Sequence, residues 1–273
     1  MMFRTRCISA VFLVLIALFT LIMGGPVLAI TLLFISLIAF NELSKACAVH
    51  TDKFCNSLET VGYLAIVAFY LLIYFNREET FLILWFVIFF LALLFVYVFS
   101  FPKFNASHVM ITFFSVFYAP VMFSFIFKTR ETQYGIYMVW MIFISSWISD
   151  TFAYLTGMLL GKHKLAPILS PKKSIEGSIG GIIGSSLCGA LFGWYLSVNV
   201  ITNPEIIWAS AFIGAAGSVV SQLGDLAASA IKRNHEIKDY GKLIPGHGGI
   251  MDRFDSVIVT SPMIYFLTIY LIK

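Results

Sequence analysis

Long apolar runs separated by short polar breaks recur from one end of this chain to the other. They lie near 7–24, 26–42, 60–76, 81–100, 109–127, 136–160, 179–198, 206–231 and 256–272 of its 273 residues. A helix needs about 20 such residues to cross the hydrocarbon of a bilayer. In lipid the backbone must satisfy its own hydrogen bonds, which helices and closed barrels do, and these runs are longer than barrel strands. The pattern predicts an all-α, polytopic membrane protein with about nine transmembrane helices. The second and third runs are short, so the expected count carries a tolerance of one. At 60% hydrophobic and 12% charged residues, the composition excludes an ordinary soluble domain. The expectation is a single membrane domain over 1–273, its N-terminal helices in 1–134 and its polar loops concentrated in 135–273.

Arg4 and Arg6, the first apolar run and Val27-Leu28-Ala29 imitate a cleavable signal peptide. Further apolar helices follow at once, so a retained first helix is expected. Lysine and arginine then set the orientation, because they accumulate on the cytoplasmic side. With nine spans and a cytoplasmic N-terminus, 14 of the 18 basic residues fall inside, and Arg77, Lys128, Arg130 and Lys273 fall outside. The net charge of +4 fits orientation and attraction to lipid headgroups rather than nucleic-acid binding. Cys7, Cys47, Cys55 and Cys188 match no zinc spacing and are expected as free thiols in a reducing compartment.

Against this apolar background, residues 229–255 stand out: they hold nine of the 32 charged side chains around Pro245-Gly246-His247-Gly248-Gly249. Glycines there allow backbone N–H groups to approach phosphate oxygens and adopt positive φ. Lys232, Arg233, Lys238 and Lys242 are candidate phosphate clamps, although orientation alone also explains basic residues at this place. His247 is either a phosphate donor or a structural histidine. No G-x-x-x-x-G-K-[ST] loop occurs.

Charges within spans are costly and face a protein interior or a wet cavity. Asp225 shares a helical face with Ser218, Ser221, Ser229 and Lys232, a polar stripe suited to lining a cavity. The alternative is an aspartate satisfied by a hydrogen bond or by Lys232. Asp252 and Asp255 are three apart where the last helix begins, so they project from one side. Two such carboxylates, with a third from another helix, suit Mg²⁺, an ion that takes oxygen ligands and keeps positions for substrate phosphates. The alternative for Asp252 is a pair with Arg253 or a helix cap. A second polar segment, Ser170-Pro171-Lys172-Lys173-Ser174-Ile175-Glu176-Gly177, leads into Gly180, Gly181 and Gly184. It reads as an anion-binding helix start, or its glycines serve close helix packing. Asp150, in Ser149-Asp150-Thr151, is a metal ligand, a second carboxylate behind the ligands, or a partner for a lysine.

The run Ser229-x-Ile231-Lys232-Arg233-x4-Lys238-Asp239-x-Gly241-x2-Ile244-Pro245-x-His247-Gly248-Gly249-Ile250-x-Asp252-Arg253-Phe254-Asp255 resembles the signature of the phosphatidate cytidylyltransferases, or CDP-diacylglycerol synthases. Ser149–Tyr154 and Ser170–Gly177 resemble further segments of that family. The likeness covers roughly 145–265, while the first five helices resemble the family only as membrane spans.

The resemblance implies that CTP and phosphatidate give CDP-diacylglycerol and pyrophosphate in the cytoplasmic membrane. It also implies a homodimer with its site facing the cytoplasm, Mg²⁺ with K⁺ as a second cation, and Asp225, Asp252 and Asp255 as metal ligands. On this reading, Lys232 joins the three aspartates in catalysis. Lys172, Lys173, Ser174, Arg233, Lys238, Gly246, His247, Gly248, Gly249 and Arg253 bind substrate phosphates, and Asp150 stands behind them. Two rival classes remain. One is a CTP-dependent membrane enzyme acting on another lipid, such as a polyprenol kinase or an archaeal-lipid cytidylyltransferase. The other is an ion-coupled transporter, which inverted-repeat symmetry would favour, and no repeat is evident.

Overall fold

The computed structural model describes residues 14–50, 55–75, 78–244, 246 and 248–272. Among them, eight helices are long and apolar enough to cross a membrane, and a shorter apolar helix precedes them. In chain order the nine are α1 (Val14–Met23), α2 (Gly25–Ala46), α3 (Ser57–Phe75), α4 (Glu79–Phe99), α5 (Ala106–Arg130), α6 (Gly135–Leu160), α7 (Ile175–Asn199), α8 (Glu205–Asn234) and α9 (Met251–Leu271). The chain is an all-α, multi-pass membrane protein, as its apolar periodicity predicts. Its many exposed large apolar side chains, such as Phe81, Leu91, Leu187 and Trp208, are the lipid-facing surface such helices require.

The chain groups into two compact units. The first comprises residues 1–127 with 235–253, and the second 128–234 with 254–273. In the first unit, α2, α3, α4 and α5 pack around Phe40, Leu58, Ile66 and Leu93, which are fully or almost fully buried. A π-helical turn, Phe117–Val121, interrupts α5 at Pro120, whose ring removes a backbone donor. Tyr70 Oη, itself 2.8 Å from Ser36 Oγ, donates to the Pro120 carbonyl at 3.3 Å. Cys47 is buried in this unit, and burial pushes its thiol up to about 11. Cys47, Cys55 and Cys188 are free, and Cys7 lies outside the described residues.

In the second unit, α7 and α8 lie side by side with α6 against them. Small residues permit this close approach: a Cβ on Gly189 would come within 2.4 Å of the Ser210 carbonyl, and one on Gly214 within 2.5 Å of the Ser185 carbonyl. A second π-helical turn, Ile144–Ile148, lies in α6 just before Asp150. One extra residue in a turn rotates everything after it by about 100°. Ser146 donates to the Ile142 carbonyl at 2.8 Å and Ser185 to the Ile144 carbonyl at 3.0 Å, so the displaced carbonyls keep partners. The helical pattern does not predict the small antiparallel hairpin between α6 and α7, with β1 (Lys164–Ala166) paired to β2 (Ser170–Ser174).

Candidate functional site

The hairpin of the second unit carries two lysines, Lys173 partly buried and Lys172 exposed. The hairpin is closed by Glu176, whose carboxylate accepts from Lys162 N at 3.1 Å and lies 2.6 Å from His163 Nδ1. Ser174 is the N-cap of α7 and its buried Oγ accepts from Gly177 N at 3.1 Å. That hydroxyl, a candidate phosphate donor in the sequence, thus accepts at the helix start and still carries a proton to donate. The glycines that follow pack against α6. A Cβ on Gly177 would lie 2.7 Å from the Ala153 carbonyl, and one on Gly184 2.2 Å from the Phe152 ring.

Lys173 Nζ forms an ion pair with Asp225 Oδ2 of α8. Beside it is a cavity of about 420 Å³. Asp150, Asp225, Lys172, Lys173, Ser170, Ser178 and Gln222 supply its polar lining, and Tyr154, Met158 and Leu165 its apolar lining. Gln222 holds α7 to α8: it pairs with Ser178 Oγ, and its Nε2 donates to the Ser178 carbonyl at 3.2 Å. Of the polar stripe predicted on α8, Asp225 lines this cavity and the serines do not. Ser218 and Ser221 are fully buried, and Ser218 Oγ lies 2.6 Å from Ser149 Oγ. Asp255, in the part of α9 belonging to this unit, lies within electrostatic range of Asp225, Lys232 and Asp150. Asp150 interacts in the same way with Asp225 and Lys173. Three carboxylates and two ammonium groups thus share one region.

Among the described residues, no group of three or more His, Cys, Asp or Glu side chains has the arrangement of a metal site as it stands. Carboxylate oxygens are donors that a hard cation would accept, and like-charged carboxylates gathered together call for positive charge. Lys173 provides it at Asp225.

The first unit builds the glycine loop. Gly246 and Gly248 have φ of 77° and 90°, a backbone region that glycine adopts without strain. Ile244 N donates to the Gly248 carbonyl at 2.8 Å and closes the turn. Lys238, Lys242, Gly246, Gly248 and Arg253, with Asp239, Gly241 and Ile244, line a cavity of about 640 Å³. Asp252 is buried, and its Oδ2 accepts from Tyr240 N at 2.8 Å and from Gly249 N at 3.0 Å. One oxygen of this expected metal ligand therefore fastens the loop. Pro245 and His247 lie outside the described residues. Arg233 is exposed in the last turn of α8.

Glu42, near the end of α2, was not among the sequence candidates. Its buried carboxylate accepts from Ile250 N at 3.0 Å and Met251 N at 2.9 Å, the first donors of α9. Gln222 was missed as well, although it lies three residues before Asp225 on the stripe already singled out.

A model of the cytidylyltransferase family matches residues 4–271. The phosphatidate cytidylyltransferase of Staphylococcus epidermidis strain RP62A is 32% identical over 272 residues, 97% of this chain and 99% of that protein. Those of Staphylococcus saprophyticus and Staphylococcus haemolyticus are 37% and 39% identical over 155 residues. Those two matches cover 57% of this chain and 57% of each relative, so the chain spans little more than half the length of these two.

Proposed function

The chain belongs to the cytidylyltransferase family of nucleotidyltransferases, and we propose that it makes CDP-diacylglycerol and pyrophosphate from CTP and phosphatidate. The observation that carries this reading is the cavity of the second unit. Asp150, Asp225, Lys172 and Lys173 there share one hollow with Tyr154 and Met158 on the membrane-spanning α6 and with Leu165 of β1. A phosphate headgroup with acyl chains still in lipid has that mixture of chemistry.

In the reaction, an oxygen of the phosphatidate phosphate attacks the α-phosphorus of CTP, and the bond to the β-phosphate breaks. The nucleophile is already ionised at neutral pH, so the chain need not supply a strong base. Its work is to position and to neutralise. Lys172 and Lys173 hold a phosphate at the cavity. Lys238, Lys242, Arg253 and the N–H groups of the glycine loop bind the phosphates that leave, and Lys232 and Arg233 add positive charge at the end of α8. Asp225 and Asp255, with Asp150 behind them, would be the oxygen donors of the second unit for Mg²⁺, with K⁺ as a second cation. When bound, Mg²⁺ supplies charge neutralisation at the reacting phosphates. We place the protein in the cytoplasmic membrane as a homodimer, with these loops on the cytoplasmic side where CTP is.

The test is product analysis: purified protein, labelled CTP, phosphatidate and Mg²⁺. CDP-diacylglycerol with pyrophosphate supports the proposal. A phosphorylated lipid with CDP would make the chain a CTP-dependent lipid kinase, and turnover only with another lipid would move it to a different substrate. Light scattering of the purified protein checks the dimer.

A further inference from the structure

Glu42 occupies a position that two general rules disfavour. It is an acidic residue close to the C-terminal end of α2 (Gly25–Ala46), where the helix dipole opposes negative charge. It is also only 7% exposed, and carboxylates are seldom buried unless they are paired. The first unit contains the compensation. Both carboxylate oxygens are used, Oε1 by Ile250 N at 3.0 Å and Oε2 by Met251 N at 2.9 Å. These N–H groups open α9, the end of a helix that attracts an anion. Lys45 and Asp252 are the charged side chains acting on it.

The surrounding chain is shaped to this carboxylate. A Cβ on Gly241 would come within 2.3 Å of Glu42 Oε1, and one on Gly249 within 2.4 Å of both oxygens. Neither glycine is among the residues with positive φ, so both are glycine for space rather than for backbone freedom. Between them lies the turn with Gly246 and Gly248, and Asp252 ties its far side through Tyr240 N and Gly249 N. Two buried carboxylates, one from α2 and one from α9, thus set the shape of a loop that is itself largely polar and exposed.

We propose that Glu42 is a positioning residue: through the N–H groups of Ile250 and Met251 it fixes Gly246, Gly248 and Gly249 in the conformation that binds nucleotide phosphate. The inference rests on the reading of this loop as a CTP site. Glutamine is nearly isosteric but turns an NH₂ toward one of the two N–H donors, so it loses one contact and opposes it. Gly241→Ala disturbs the same carboxylate from the other side without altering its charge.

The experiment compares wild type, Glu42→Gln, Glu42→Ala, Gly241→Ala and the Glu42→Ala/Gly241→Ala double variant in nanodiscs. Hydrogen exchange over 238–253 is read without substrate, and KM for CTP, KM for phosphatidate and kcat are read with both. In Glu42→Gln and Gly241→Ala, amides 250 and 251 should exchange at least ten-fold faster while α7 and α8 keep their protection. KM for CTP should rise at least ten-fold, and KM for phosphatidate should stay within two-fold. Adding Gly241→Ala to Glu42→Ala should change KM for CTP by less than two-fold further, because the group it displaces is gone.

Unchanged exchange at 250 and 251 overturns the proposal. So does faster exchange with KM for CTP within two-fold of wild type, which would make the contact only a helix cap. Parallel losses for both substrates, or aggregation of both Glu42→Gln and Gly241→Ala, also overturn it, since Glu42 would then support the fold as a whole. A wild-type protein that forms no CDP-lipid strikes the functional reading instead, and the exchange data still decide whether Glu42 holds the loop.

Discussion

Asp225→Asn, made alone and together with Lys173→Met, separates the structural role of this carboxylate from its chemical one. Two unit charges about 4 Å apart attract by about 4 kcal/mol at an effective dielectric of 20. The side chains of Lys173 and Asp225 remain 25% and 28% exposed, so water screens part of this and desolvation offsets more, leaving a net coupling of about 1–2 kcal/mol. Asp225→Asn leaves the Lys173 ammonium without the carboxylate it pairs with. Lys173→Met leaves Asp225 facing Asp150 and Asp255 without its ammonium. Each single change should lower the apparent unfolding temperature by roughly 2–4 °C per kcal/mol lost, and the double variant should lose less than the sum. Thermal unfolding of the purified proteins, followed by size-exclusion chromatography, reads the coupling. CDP-lipid formation should behave differently. If Asp225 acts on the reacting phosphates, turnover falls on the order of 100-fold or more in Asp225→Asn and does not return in the double variant. Recovery of turnover in the double variant would show that Asp225 serves only to hold Lys173, and the catalytic assignment would be wrong.

Cysteines placed at 172 and 242, in a background without native cysteines, should resist an impermeant reagent added to intact cells, and a cysteine at 128 should react. Labelling at 242 from outside would invert the orientation and remove access to CTP. Lys232→Arg and Arg233→Lys keep the charge that orients a membrane protein but change its geometry, since one side chain is a point charge and the other a planar fork. At least one swap should lower turnover by about ten-fold, about 1.4 kcal/mol in the barrier. Wild-type kcat and KM in both would leave orientation as their whole role. In Gly189→Ala the new Cβ would meet the Ser210 carbonyl at 2.4 Å, so destabilisation by roughly 1–3 kcal/mol is expected from overpacking. An unchanged melting temperature would show that α7 and α8 do not need that approach.

What the sequence makes legible is what repeats or sits close by. The helices follow from apolar runs, because a bilayer enforces their length. The polar stripe on α8 follows from helical spacing, and Gly246 and Gly248 follow from the need for positive φ. Long-range contacts leave no such trace. Glu42 meets Ile250 across 208 positions, and nothing near residue 42 marks it except an acid at the end of an apolar run. Gly241 and Gly249 look like members of the same flexible loop as Gly246, yet their cause is the volume of a glutamate from another helix. The hairpin escapes for a related reason. Its first strand has three residues, too few for alternation to register, and it is closed by Glu176 reaching back to His163. Asp252 shows the opposite error, in which local spacing invites a functional reading and omits a structural one. Its i, i+3 relation to Asp255 suggests paired ligands, while its Oδ2 takes two backbone N–H groups. An acid where a helix enters or leaves the apolar layer can answer to a cation, to a lysine or to the open N–H groups of a helix start. Those three partners are electrostatically alike, and only the fold determines which of them each carboxylate meets.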